Sequence, residues 1–279
     1  MLDNLLAKSL YQLSVLFRIK EESVALYDRL NNFQRAEKDF QREMEGASSF
    51  DKDFGLNLSG KVVLEIGSAC GGYIFHALKC GARLVYGIEL SKERCDASLM
   101  NLGRFCDNKN YKVFHADARH MNMITSNSID IIVSNATIEH IIGLDLILEE
   151  IYRILRVGGV AYLFTGGTWY TYGASHLKRY IPFPWVHLVL PDRIILKTLK
   201  MQLEKGHRPE FAMKNIIDLY ENLGKLSIRK LRCYIRSSKL QLIRFENVSN
   251  KKLKKPLLKL PILNEVFAGG IRVVLKKAE

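Results

Sequence analysis

Between Lys61 and Gly167 the chain alternates short apolar runs with helical stretches: KVVLEIG, a helix from Tyr73 to Cys80, RLVYGIEL, a helix from Lys92 to about Phe105, YKVFHAD, IDIIVSN, a helix from Leu144 to Leu155, then VAYLFTG. Few arrangements accept that alternation. Runs this short and this rich in Val and Ile are buried on both faces, and a helix between each pair carries the chain back to the same end of the sheet. The strands must then lie parallel, wound by right-handed crossovers. The expected fold class is α/β, a Rossmann-like, doubly wound sheet.

The flanks of this region read differently. Leu2, Leu5, Leu6, Leu10, Leu13, Leu16 and Phe17 recur at three and four, as in an amphipathic helix, and a more polar helical stretch continues to about Met44. Gly46 to Ser59 is rich in Gly, Ser, Asp and Asn and reads as a linker. Residues 1–57 are therefore expected to form a helical cap and linker, and residues 58–279 the main domain. After Thr165 the rhythm breaks: residues 166–191 hold Trp169, Tyr170, Tyr172, Tyr180, Phe183 and Trp185 with three prolines, an insertion after the fifth strand suited to contacting a substrate. Helical patterns from Ile194 to Glu204, Phe211 to Leu223 and Ser227 to Ser237 follow, and LQLIRFENV and GIRVVLKK supply two more strands.

Charge divides the chain. Of its net +13, the residues up to Thr165 hold 19 Lys and Arg against 21 Asp and Glu, whereas those from Gly166 onward hold 23 against 8. A basic half of this kind suits an anionic partner or a solvated face. No apolar run reaches eighteen residues and no leader pattern precedes the first helix, so a cytoplasmic location is expected. Five cysteines, Cys70, Cys80, Cys95, Cys106 and Cys233, form no CxxC pair, and no zinc-type spacing with histidine stands out, so reduced thiols and no metal are expected.

Chemistry concentrates at the strand ends. In VVLEIGSACGG a buried strand delivers Glu65, and Gly67, Gly71 and Gly72 turn the chain into a helix, letting backbone N–H groups approach a ligand. Alone, such a unit also serves a dinucleotide or a bare tight turn. Glu89 ends the second strand twenty-two residues after Gly67, where an acid can accept both hydroxyls of a ribose. Glu65 lies where a carboxylate would repel a pyrophosphate but suit an ammonium group. Asp117 follows the third strand, placed to accept a hydrogen bond from an adenine amino group.

Together these segments resemble the type 11 family of class I S-adenosylmethionine-dependent methyltransferases. VLEIGSACGG resembles its first motif, GIELS its second, HADARHM its third, IIVSNATIEHI its fourth, and LRVGGVAYLFTG its fifth strand. The resemblance implies a seven-stranded sheet whose last strand is antiparallel, and S-adenosylmethionine as cofactor. By it, Glu65, Gly67, Ser68, Ala69 and Gly71 frame the methionine end, Glu89 and Leu90 the ribose, Asp117 and Ala118 the adenine, with Asn135 near the sulfonium. Ala69 departs from the family's GxGxG, where a glycine is usual. His140 is the first candidate base, against the alternative of a histidine satisfying backbone groups at a helix start; His176 and His187 are further candidates in the insertion. Glu139 is read as a solvated helix residue. Trp169, Tyr172 and Trp185 are candidate substrate contacts.

The expected reaction is methyl transfer to a small-molecule or glycan hydroxyl, with an anionic acceptor of the surface-polysaccharide or lipid-linked sugar type. Alternatives are a quinone or lipid precursor as acceptor, or an RNA-binding or catalytically idle partner protein. No RNA-binding module is recognisable, which argues against nucleic acid. The segment NKKLKKPLLKLP and the first helix suggest peripheral contact with an anionic membrane.

Overall fold

A computed structural model describes residues 2–16, 32–166, 168–171, 176–177, 180–205, 210–248 and 261–279. The parallel strands are β1 (Val62–Ile66), β2 (Leu84–Glu89), β3 (Tyr111–His115), β4 (Ile129–Asn135) and β5 (Leu155–Thr165), followed by β6 (Gln241–Val248) and β7 (Gly270–Lys276). They form one seven-stranded sheet in the order β3-β2-β1-β4-β5-β7-β6. β1 pairs in parallel with both β2 and β4, so the strand order reverses beside it. The last strand, β7, inserts antiparallel between β5 and β6, as expected.

The helices are α1 (Leu2–Leu16), α2 (Asn32–Phe54), α3 (Gly72–Lys79), α4 (Lys92–Phe105), α5 (Leu144–Ile154), α6 (Val186–Val189), α7 (Asp192–Glu204), α8 (Glu210–Glu221), α9 (Ile228–Ser237) and α10 (Pro261–Phe267). The period of two along β1 explains why both faces are covered. Val62, Leu64 and Ile66 face a cluster built with Ile147 and Ile151 of α5 and Leu231 of α9. Val63 faces the opposite cluster, with Phe40 and Phe50 of α2, Ile74 of α3 and Leu102 of α4. A third cluster lies off the sheet, where α1, α7 and α8 enclose Leu177, Ile181 and Val186 from the aromatic insertion.

Two expectations for the N-terminal region change. The stretch from Gly46 is no linker as far as Phe54, because α2 runs through it. Ala47 and Phe50 are buried, Phe50 edge-on to Tyr73 and Phe54 edge-on to Tyr162. Burying such rings stabilises by about 1.5–3 kcal/mol each, which outweighs roughly 1 kcal/mol of helix propensity lost at Gly46. In α1 the buried residues are Ala7, Leu10 and Ser14, whereas Leu2 (67%), Leu5 (62%) and Leu16 (75%) stay exposed. Small, polar groups set that choice: Gln202 of α7 donates to Ser14 Oγ at 2.9 Å, drawing the Ala7–Ser14 face inward. Among the described residues, no helix is long and apolar enough to cross a membrane. Residues 249–260, including most of NKKLKKPLLKLP, lie outside the described residues.

Candidate active site

In an open α/β sheet, ligands collect at the carboxyl ends of the strands beside the order reversal. The carboxyl ends of β1, β2, β3 and β4 bring together Glu65, Glu89, the turn after β3, and Asn135. β1 leads into a turn in which Gly67 has φ 79° and Gly71 φ 91°. At Gly67 the need for glycine is also steric, since a Cβ there would collide with the Thr137 side chain. The turn is fixed to β2, with Gly67 N donating to Ile88 O at 2.8 Å and Ser68 N at 3.1 Å. Ala69, the departure from GxGxG, also adopts a left-handed φ of 40°. A Cβ in that region carries roughly 1–2 kcal/mol of strain.

Three carboxylates surround this turn. Glu89 accepts from Ala69 N and Ser91 N, both at 2.9 Å. Glu65 is 7% exposed, and its Oε2 has no hydrogen-bond partner. Burial, with Glu43 and Glu89 nearby, pushes its carboxyl well above the usual carboxylate range. Glu43 comes from α2, outside every motif: its Oε2 accepts from Cys70 N and Gly72 N, both at 3.1 Å. Burial raises Glu43 to about 7 despite those two hydrogen bonds. No sequence motif marks Glu43, which is distant along the chain and sits in a polar helix. A nest of acids with one orphaned oxygen suits a ligand bearing positive charge and would repel a pyrophosphate.

The remaining motif residues occupy the rim. Leu90 is 69% exposed, beside a contact of His115 Nε2 with the Leu90 carbonyl at 3.0 Å. Asp117 is held by Arg119, whose Nη2 lies 2.6 Å from Oδ2, and that hydrogen bond keeps its carboxyl below the usual range. Ala118 is buried behind it, and Asn135 is exposed at the end of β4.

Next to Asn135, a 3₁₀ turn over Ile138–His140 folds under the end of β5 and lines a cavity of about 150 Å³. Glu139, His140, His176, Trp169, Lys225 and Leu226 contribute to its wall. The His140 and His176 rings stand 4.9 Å apart. Burial, reinforced by His176, lowers His140 to about 4, so it is neutral at ordinary pH. Glu139 departs from the solvated role expected of it. Its Oε1 accepts from Gly166 N at 3.0 Å, its Oε2 is shut away without a partner, and burial raises it to about 7. From the 3₁₀ turn its side chain reaches back to the chain just past the end of β5.

Of the insertion residues, Trp169 reaches this cavity, with Lys225 Nζ 4.9 Å above its ring. His187 and Trp185 stand outside it. His187 packs edge-on to Trp169 at 4.6 Å and contacts the Trp169 carbonyl at 2.7 Å, while Trp185 Nε1 donates to the Tyr170 carbonyl at 3.0 Å. Tyr172 lies outside the described residues. A larger groove of about 690 Å³, between Tyr152 of α5 and Tyr234 of α9, opens by Asn127 at the other end of β4, away from the carboxyl-end motifs.

A doubly wound sheet ending in an antiparallel strand, with an acid-ringed glycine turn after β1, is the arrangement that the motif resemblance to class I S-adenosylmethionine-dependent methyltransferases implies. Residues 64–163 match the sequence model of a methyltransferase domain family, described as "Methyltransferase domain". That match makes residues 64–163 a methyltransferase domain, and the fold around it is that of solved S-adenosylmethionine-dependent methyltransferases. No curated protein matches the chain in sequence. Solved structures share the fold at low identity. An S-adenosylmethionine-dependent methyltransferase from Mesorhizobium loti is 13% identical with a TM-score of 0.53, the match covering 82% of this chain and 96% of that one. Phosphoethanolamine N-methyltransferase 2 of Haemonchus contortus, in complex with S-adenosyl-L-methionine, is 16% identical with a TM-score of 0.57, over 84% of this chain and 53% of that one. Geranyl diphosphate C-methyltransferase of Streptomyces coelicolor is 13% identical with a TM-score of 0.54, over 84% and 76%.

Proposed function

We propose that the enzyme methylates a hydroxyl of a small-molecule or glycan acceptor, held in the cavity between the end of β4 and the aromatic insertion. The observation that carries this reading is the pairing of Glu139 and His140 on one wall of that cavity, each with a buried, partnerless polar atom, Glu139 Oε2 and His140 Nδ1. Orphaned polar atoms side by side in a cleft await a ligand that hydrogen-bonds to them. Trp169 offers a flat apolar surface for a sugar ring, and Lys225 a positive charge for an acidic substituent.

S-adenosylmethionine supplies an electrophilic methyl group. The chain must then position the acceptor in line and take the hydroxyl proton. Of the two candidate bases, Glu139 at about 7 is matched to neutral pH, while His140 at about 4 is always neutral but weakly basic. Glu139 is therefore assigned the proton and His140 the orientation of the hydroxyl. In the cofactor site, Glu65 would hold the methionine ammonium, Glu89 and Leu90 the ribose, Asp117 and the Ala118 backbone the adenine, and Asn135 would lie toward the sulfonium. Gly67, Ser68, Ala69 and Gly71 form the floor. The exposed leucines of α1 support peripheral contact with an anionic membrane, which would suit a lipid-linked acceptor.

Incubation with methyl-labelled cofactor and acceptor pools from the source cell, followed by identification of the product, tests the acceptor class. An O-methylated sugar supports the reading, and labelling confined to amine or carbon acceptors overturns it. With the acceptor in hand, turnover of the wild type should rise with pH through about 7 as Glu139 ionises. Glu139→Gln and His140→Ala should each lower kcat by about 10²–10⁴ with cofactor affinity preserved. Unchanged kcat in both variants removes the pair from catalysis.

A further inference from the structure

Near the C-terminal end of α3, three donors of different type converge: Asp51 of α2, and His76 and Cys80 spaced four apart on α3 and at its end. Their ligand atoms all lie within 4.8 Å of one another. Residues four apart on a helix share a face, so α3 presents the imidazole and the thiol together, and α2 adds the carboxylate from above.

One ring nitrogen cannot serve both of its neighbours at once. His76 Nε2 lies 2.8 Å from Asp51 Oδ2 and 3.5 Å from Cys80 Sγ. If Nε2 carries a proton, it donates to Asp51 and has no lone pair for the thiol. If Nε2 is bare, the thiol can donate to it, but the carboxylate then faces a lone pair. A single cation at the meeting point serves all three at once. The spacings are close to those of tetrahedral zinc, where bonds of about 2.3 Å to sulfur, 2.1 Å to nitrogen and 2.0 Å to oxygen put S and N about 3.6 Å apart and N and O about 3.3 Å apart. The S···N distance already fits, and the N···O distance needs to open by about half an ångström. Tyr73 OH donates to Asp51 Oδ1 at 2.7 Å, orienting the carboxylate so that Oδ2 faces the histidine, as outer partners of metal ligands do. Asp51 and His76 are mostly buried (13% and 15% side-chain exposure), whereas Cys80 is exposed, leaving an entry path and a fourth position for water.

We propose that Asp51, His76 and Cys80 form a site for a thiophilic divalent cation, zinc by its donor set. Its place in the fold gives it a purpose. It bridges α2 to the last turn of α3, and α2 also presses Glu43 onto the glycine turn that opens α3. A cation there clamps the N-terminal helix over the cofactor turn. The proposal does not depend on which acceptor is methylated.

The test is a titration of the full-length, metal-stripped protein with zinc ions against a chromophoric chelator, and with cobalt ions followed by absorption. One equivalent should bind, with a thiolate-to-cobalt charge-transfer band. Cys80→Ser and His76→Ala should each weaken zinc binding by 100-fold or more and abolish that band. Tyr73→Phe should weaken binding by about 10-fold, the usual effect of an outer partner. Cys80→Ser alters an exposed side chain, and retained S-adenosylmethionine binding by that variant shows that it is folded. No binding by wild type at micromolar zinc overturns the site, as does binding reduced less than tenfold in Cys80→Ser.

Discussion

Replacing Glu43 by Gln separates the hydrogen bonds at the glycine turn from the charge that makes them. Glu43 Oε2 accepts from both Cys70 N and Gly72 N, with Oε1 a longer second acceptor for Cys70 N at 3.2 Å, so a Gln amide oxygen placed at Oε2 keeps both main bonds and loses only the Oε1 contact. What disappears is a partly buried negative charge beside Glu65 and Asp39. Burial raises Glu43 from 4.5 to about 7, and at 1.36 kcal/mol per unit that shift corresponds to about 3 kcal/mol of opposition to the ionised form. The residue is half-buried, and solvent screening reduces the expected effect to roughly 1–2 kcal/mol. A raised carboxyl favours the folded state at pH below 4.5, and that advantage is lost as pH climbs to and through about 7. Cofactor-free wild type and Glu43→Gln should therefore be nearly equally stable at pH 5, and the variant more stable by roughly 1–2 kcal/mol at pH 8. Denaturant unfolding at the two pH values measures this, and the gain corresponds to a rise in Tm of about 2–8 °C. A variant no more stable than wild type at pH 8, or a gap of equal size at both pH values, refutes the reasoning.

Ala69→Gly should stabilise the protein by about 1 kcal/mol by relieving the left-handed backbone, with S-adenosylmethionine affinity by calorimetry equal or tighter; a loss of stability would show that the Ala69 methyl makes contacts worth more than the strain. Phe50→Ala removes a ring that is 5% exposed and packed on Phe54 and Tyr73, and should lower stability by about 3–5 kcal/mol. Hydrogen exchange should then quicken in α2 more than in β1 or β4, and uniform quickening would mean that α2 is not a separable cover.

The local pattern carried a good deal of this protein. Val- and Ile-rich runs alternating with helices set the parallel sheet, because a helix between each pair of strands returns the chain to the same end of the sheet. The glycine turn after β1, with Glu89 and Asp117 at the next two strand ends, was legible for the same reason: each strand delivers its last residues to one edge. Tertiary structure decided what period and spacing cannot encode, namely which distant segments meet. Glu43 reaches the glycine turn, and Asp51 reaches His76 and Cys80, only because buried Phe40 and Phe50 hold α2 against α3. The same packing turns a stretch of Gly and Ser that reads as a linker into helix. Glu139 looks like a surface acid in sequence, and in the fold it is a buried carboxyl near neutrality, since burial depends on where the chain folds back and not on the residue's neighbours in sequence.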